Sequence, residues 1–154
     1  IDQAIADYIK KTFNLAIGDR TAEEVKIKIG AAVMLEEELR VTIKGRDFIQ
    51  GLPRSAQVGT NEIVKAIDAE LKQIVKAIKD VLQETPPELA SDIIDHGIIM
   101  TGGSSQLRNL TDLVYRKTGV KATLAEDALY CVVKGTGIAL DHLDVYKKAV
   151  LSKK

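Results

Sequence analysis

The chain has 154 residues, 45% hydrophobic and 29% charged, which is one domain's length and excludes a disordered tail, a fibre or a low-complexity linker. Its 22 Lys and Arg balance 22 Asp and Glu, and only 4% of residues are aromatic, none of them Trp; neither a basic field nor a base-stacking surface for nucleic acid follows from that composition. The single cysteine excludes a disulfide framework and points to a reducing, cytoplasmic setting, and no apolar run reaches the ~20 residues of a membrane span.

In chain order, Ile1 to Phe13 reads as an amphipathic helix with Ile1, Ile5, Tyr8 and Ile9 on one stripe. It starts without an initiator Met or a capping residue, which favours a piece of a longer protein over a trimmed chain. A loop turns at Gly18-Asp19. Thr21 then stands as N-cap of a short helix from Ala22 to Ile29, and Gly30 as its C-terminal glycine. Leu35, Leu39, Val41 and Ile43 alternate with Glu36, Glu38, Arg40, Thr42 and Lys44, the period-two pattern of a half-buried strand. Gly45-Arg46 is placed to turn it, with 47–50 and 55–58 as short antiparallel partners.

Thr60-Asn61 caps the longest predicted helix, to about Gln83. Its stripe of Ile63, Ile67, Leu71, Ile74, Ile78 and Val81 is wide enough to pack on a sheet. Thr85-Pro86-Pro87 ends it, and Glu88 to Asp95 forms another short helix. A short strand at 97–101 leads into Gly102-Gly103-Ser104-Ser105, then a helix carrying Leu107, Leu110, Leu113 and Val114, then a strand at 120–124. Strand, glycine turn, helix, strand predicts a right-handed βαβ unit with parallel strands. A final helix runs from about Leu129 towards the basic end Lys153-Lys154.

Several of these residues are candidates for chemistry. Gly102-Gly103-Ser104-Ser105 lies where strand gives way to helix, at the sheet edge where free amides and a helix dipole favour phosphate. The same pair of glycines also serves as a plain tight turn, and it matches neither the Walker A loop nor the full dinucleotide fingerprint. Glu23 and Lys26, three residues apart beside Glu24 and Val25, share a helix face: a carboxylate can accept from ribose hydroxyls and a lysine stem can flank a base. Spacing alone favours an exposed ion pair instead. His96 and His142 have no neighbouring ligand set, so no metal site is expected. Cys131 reads as a small core residue rather than a nucleophile, and Glu126-Asp127 as an acidic first helical turn rather than a catalytic pair. Glycines at 135 and 137 inside a helix imply close packing against another backbone.

Gly18-Asp19-Arg20-Thr21-Ala22-Glu23, Gly45-Arg46-Asp47, Gly51-Leu52-Pro53 and Thr85-Pro86-Pro87-Glu88-Leu89 stand in an order that resembles the MreB family of bacterial actin-like cytoskeletal proteins. Gly97 through Gly103 and Gly135-Thr136-Gly137 extend the resemblance over essentially the whole chain. It is similar to the C-terminal half of that family. The resemblance implies an α/β chain from the second domain of an actin-like (ribonuclease H-like) ATPase, with a small α+β lobe at 1–60, a βαβ-containing larger lobe at 61–130 and a C-terminal helix at 131–154.

It further implies an ATP-dependent filament subunit that determines cell shape, located in the cytoplasm at the inner face of the membrane. The cofactor is ATP or ADP with Mg, whose ligands are not in this chain. Partners are copies of itself and membrane-linked shape-determining proteins, with no nucleic acid and no transmembrane segment. Glu23, Glu24, Val25 and Lys26 match the family's ribose and adenine segment, and Gly102, Gly103, Ser104 and Ser105 its nucleotide-binding turn, where Ser104 replaces the usual third glycine. The family's phosphate hairpins and catalytic glutamate have no counterpart in these residues, so hydrolysis is not expected of them. Two rival functions are a stand-alone interaction module and a small enzyme that binds a phosphorylated metabolite at Gly102-Gly103.

Overall fold

The computed structural model describes residues 1–151. Helix α1 (Asp2–Phe13) buries Ile5 and Ile9 and ends at Asn14 in a left-handed conformation (φ 51°), the local geometry that Asn tolerates best among residues with a side chain. Strand β1 (Leu15–Ala16) pairs antiparallel with β2 (Arg40–Asp47), which pairs antiparallel with β3 (Pro53–Gly59). Helix α2 (Asp19–Ile29) lies between β1 and β2 in sequence and packs on α1.

Four local expectations change here. The helix starts at Asp19, with Gly18 as its N-cap, so Thr21 is inside the helix and caps nothing. Residues 35–39 are irregular, with a bend at 36–37, and strand pairing begins only at Arg40. Gly45-Arg46 does not turn the chain: β2 runs through both residues to Asp47, and the turn follows at 48–50. A Cβ at Gly45 would lie 2.4 Å from the Ala16 carbonyl oxygen, so glycine there permits the close approach of β1. Residues 47–50 accordingly supply the end of β2 and the turn, not a partner strand. The Asp47 carboxylate closes that turn, its Oδ1 accepting from the amides of Ile49 (2.9 Å) and Gln50 (2.8 Å).

The long predicted helix is two, α3 (Thr60–Ala66) and α4 (Asp68–Glu84), joined at the fully buried Ile67, whose φ −105° and ψ 8° leave helical geometry. Thr60 is the first helical residue rather than the cap, and its hydroxyl donates to the Leu39 carbonyl at 3.2 Å. The free amides at this terminus go to carboxylates, Gly59 N to Glu62 Oε2 (2.9 Å) and Asn61 N to Glu38 Oε1 (3.0 Å). Helix α4 rests on α6 (Leu110–Thr118), whereas α3, the first part of the predicted helix, meets the sheet at β3. Leu71 and Val75 are buried there, while Val81 is 66% exposed. Helix α5 (Pro87–His96) starts with proline in its first turn, where the missing N–H costs nothing.

Strands β4 (Ile98–Met100) and β5 (Ala122–Leu124) pair in parallel, as the βαβ reading requires. Between them the chain makes a four-residue 3-10 turn, Gly103–Gln106, and α6 begins only at Leu110, behind Asn109. Leu107 therefore precedes the helix rather than lying on it. The final helix is divided: a short 3-10 turn (Ala128–Tyr130), α7 (Cys131–Asp141) and α8 (Leu143–Leu151), separated at His142. Lys153-Lys154 lie outside the described residues.

Cys131 opens α7 and is only half-buried, so it is not a core residue. Among the described residues nothing lies within 4 Å of a Cβ placed at Gly135 or Gly137, which contradicts the expected close backbone packing.

One apolar cluster ties these elements together, reaching from Ile5 and Ile9 of α1 through Val25 and Ile29 of α2, Ile43 and Val58 of the sheet, Ile63, Ile67 and Leu71, to Leu107 and Leu110. Burying each such side chain stabilises by about 1.5–3 kcal/mol. The cluster fixes α2 against the segment that carries the glycine turn, which positions the site.

Candidate functional site

The C-terminal end of α2 and the glycine turn face each other across a groove of about 210 Å³, lined by Ile1, Lys26, Ile27 and Gly30 on one side and by Gly103, Ser104, Gln106, Leu107 and Arg108 on the other. Two backbone contacts hold the walls in register. Ala31 bridges to Arg108 in parallel, and the Ala32 amide donates to the Arg108 carbonyl at 2.8 Å. Gly30 is extended (φ −65°, ψ 139°), not the left-handed cap its position suggests. A Cβ there would lie 2.3 Å from the Lys26 carbonyl oxygen and 2.9 Å from Leu107 Cδ1, so glycine is what lets α2 pass so close to Leu107.

On the opposite wall, Gly102 has φ +88°, a conformation that glycine adopts without strain. Its amide donates to the Ala128 carbonyl at 2.7 Å and its carbonyl accepts from the Ser105 amide at 3.2 Å. The Ser105 hydroxyl donates to the same carbonyl, so Ser105 is buried and turned inward. Gly103 and Ser104 are exposed at the groove surface. Because α6 starts at Leu110, no helix dipole reaches Gly103, and the dipole argument from sequence does not apply to this turn.

Of the residues singled out in sequence, Lys26, Gly103 and Ser104 come together in the groove. Val25 is 2% exposed and packs in the core. Glu23 is exposed on α2 outside the groove lining, and Glu24 pairs with Arg20 (3.3 Å) and Lys28 (3.9 Å). The expected Glu23–Lys26 ion pair does not form. Lys26 instead places its ammonium 2.9 Å from Asp2 Oδ1 and 3.0 Å from Oδ2, across from α1.

Sequence reasoning missed Asp2, Gly30, Gln106 and Arg108 at this site. Gly30 has a local signal, a glycine one helical turn after Lys26, although that position by itself suggests a helix cap. Asp2 had none, since only the packing of α1 on α2 brings it to Lys26. Among the described residues, no cluster of three or more His, Cys, Asp or Glu is arranged to hold a metal ion, and no helix is long and apolar enough to cross a membrane.

Comparison with known proteins bears on this geometry. The sequence pattern of the MreB/Mbl protein family matches residues 1–148. Over 151 residues the chain is 42% identical to the cell shape-determining protein Mbl of Bacillus subtilis (strain 168), covering 98% of this chain and 45% of that one. Over 145 residues it is 40% identical to the cell shape-determining protein MreB of Escherichia coli (strain K12), covering 94% of this chain and 42% of that one.

Among solved structures, MreB5 of Spiroplasma citri bound to AMPPNP superposes with a TM-score of 0.87 at 34% identity, over 96% of this chain and 44% of that one. The same protein bound to ADP gives 0.87 at 35% identity, over 99% and 45%. A MamK double helical filament gives a TM-score of 0.69 at 22% identity over 84% and 39%, a likeness of fold alone. The chain thus spans a little under half the length of the relatives it matches. A family pattern running along 148 residues, with an α/β fold that superposes on part of a solved MreB, leads to one assignment: the chain belongs to the MreB/Mbl family.

Proposed function

We propose that this chain is the second-domain, C-terminal portion of an actin-like, ATP-dependent filament subunit that determines cell shape, and that it supplies the adenine and ribose half of the nucleotide site. The observation that carries the reading is the groove in which Lys26 of α2 faces Gly103 and Ser104 of the turn after β4. Those residues match the family's two nucleotide-contacting segments, and a 34% identical relative of the same fold was solved with AMPPNP. The proposal divides the chain into a small lobe (1–60), a larger lobe (61–130) and a C-terminal helical segment (131–154). It places the protein in the cytoplasm at the inner membrane face, with copies of itself and membrane-linked shape-determining proteins as partners.

In this reading the Lys26 stem and Ile27 flank the base, and the exposed Gly103-Ser104 backbone lets the nucleotide approach without a side chain in its way. Glu23 reaches the ribose from the adjoining helix face, while Glu24 shapes that face through its pairs with Arg20 and Lys28. Val25, Gly102 and Ser105 hold the two backbones in place. ATP with its Mg ion brings the phosphoanhydride chemistry, and the groups that would act on it are not among these residues.

The groove's volume supports half a site rather than a whole one. At about 210 Å³ it is smaller than the ~300–1,000 Å³ pockets that enclose drug-sized ligands. A half-open cleft loses both apolar contact and the strengthening of polar contacts that exclusion of water gives. The expected dissociation constant for ATP is no tighter than roughly 0.1 mM, about −5.5 kcal/mol, with no hydrolysis. Calorimetry and a phosphate-release assay on the purified chain test this. Micromolar affinity or Mg-dependent turnover by the chain alone would overturn the half-site reading.

A further inference from the structure

Lys26 is held on both sides of one carboxylate. Its Nζ lies 2.9 Å from Asp2 Oδ1 and 3.0 Å from Oδ2, with the lysine side chain 15% exposed and the aspartate 39% exposed. Oδ2 takes the hydrogen bond, and Oδ1 is buried with no other donor facing it among the described residues. The pair joins the first residue of α1 to the last full turn of α2, two elements that meet only through tertiary packing. Ile1, next to Asp2, lines the groove with Lys26.

A free lysine at this position would do two things at once. Its four-carbon stem would lie along the groove wall, and its ammonium would swing towards any anion in the groove. Pairing with Asp2 separates the two. The ammonium is directed at α1 and its charge is offset, so the stem remains as an ordered apolar wall. Arg108, exposed on the opposite side of the groove and without an ion-pair partner among the described residues, keeps its charge available.

We propose that Asp2 is a positioning residue that sets what the groove selects. By tying down the Lys26 ammonium it makes α2 a reader of the uncharged nucleoside part of the ligand and removes Lys26 as an attractor of phosphate. The proposal rests on the nucleotide-site reading given above. It differs from a purely structural tie between α1 and α2 in one measurable respect. A structural tie would affect adenosine and ATP alike, whereas release of a positioned ammonium would alter their ratio.

The test uses the isotope-labelled full chain, with adenosine and Mg-ATP titrated separately and amide shifts at Gly103 and Ser104 followed by NMR. Asp2→Asn keeps the shape and removes the charge. It is expected to weaken adenosine binding at least threefold and to raise the ATP-to-adenosine affinity ratio at least threefold. Asp2→Glu should restore both towards wild type. In a Lys26→Met background the Asp2→Asn change should have no effect on the ratio, because the group it positions is gone.

Equal losses for both ligands in Asp2→Asn, or both affinities unchanged, would overturn the proposal while leaving the nucleotide site standing. Failure of the wild-type chain to respond to either ligand would overturn the nucleotide-site reading, and this proposal with it.

Discussion

Replacing Gly30 with alanine tests how closely the two walls of the groove are packed. Gly30 has φ −65°, which alanine adopts freely, so on backbone grounds the change should stabilise the chain by about 0.4–1 kcal/mol through the unfolded state. Contact geometry predicts the opposite sign. The new methyl carbon would meet the Lys26 carbonyl oxygen at 2.3 Å, the Lys26 carbonyl carbon at 3.1 Å and Leu107 Cδ1 at 2.9 Å, whereas carbon atoms pack best at about 3.5–4.0 Å.

Leu107 can rotate away, but the Lys26 carbonyl is backbone and already accepts the Gly30 amide at 2.9 Å. Relief therefore requires the end of α2 to move. Overpacking of this kind costs roughly 1–3 kcal/mol, which after the unfolded-state gain of about 0.4–1 kcal/mol leaves a net loss centred near ~1.3 kcal/mol. For a chain of this size that is a fall in Tm of about 3–5 °C. Thermal unfolding followed by circular dichroism measures it. A Tm that rises or stays the same would mean that α2 and Leu107 are not in the contact described, and that the groove's walls are not set by this glycine.

Three further outcomes follow from other parts of the molecule. Ile63→Ala, at a fully buried position of the main core, should cost about 2–5 kcal/mol in urea unfolding; a loss under about 1 kcal/mol would place Ile63 outside a packed core. Gly135→Ala and Gly137→Ala, where nothing among the described residues lies within 4 Å, should each stabilise α7 by up to about 1 kcal/mol, raising helical content and Tm; destabilisation would reveal a close neighbour.

The Asp47 carboxyl is held below its ordinary value, first by the Gln50 amide, next by the Ile49 amide, and more weakly by the Arg54 guanidinium, against an opposing effect of burial. A lowered folded-state pKa gives stability that is present above the unfolded-state value of about 3.9 and is lost as pH falls through the folded-state value. Asp47→Ala should therefore lower Tm at neutral pH and differ progressively less from wild type as pH drops below about 4; a gap that stays constant with pH would contradict the account.

The parts of the fold that were legible in the sequence are those where local chemistry and tertiary packing agree. The apolar stripe of residues 1–13 gave α1, Pro86-Pro87 marked the break between α4 and α5, and the strand–glycine–helix–strand order gave the parallel β4–β5 pair. Mistakes arose where a residue serves a distant neighbour. Gly45 looks like a turn residue, yet its missing side chain makes room for Ala16. Thr60 looks like a cap, yet its hydroxyl donates to Leu39.

The same distinction runs through the site. Lys26, Gly103 and Ser104 carried a recognisable pattern and do share a groove. Asp2 was invisible because its role depends on how two helices pack. Glu23 and Lys26 are correctly spaced for a helix-face pair, but the nearer carboxylate comes from another element and the local pair is not made.

The central claim is that the nucleoside part of an adenine nucleotide lies between α2 and the glycine turn. Intermolecular NOEs between unlabelled ADP and the isotope-labelled chain test it most directly. The account predicts contacts from the adenine and ribose protons to the Lys26 methylenes, to Ile27 and to the Gly103 α-protons. Contacts confined to another surface, such as the groove between α4 and α6 lined by Leu71, Val75 and Leu113, would contradict it, as would saturating ADP that gives no contacts at all.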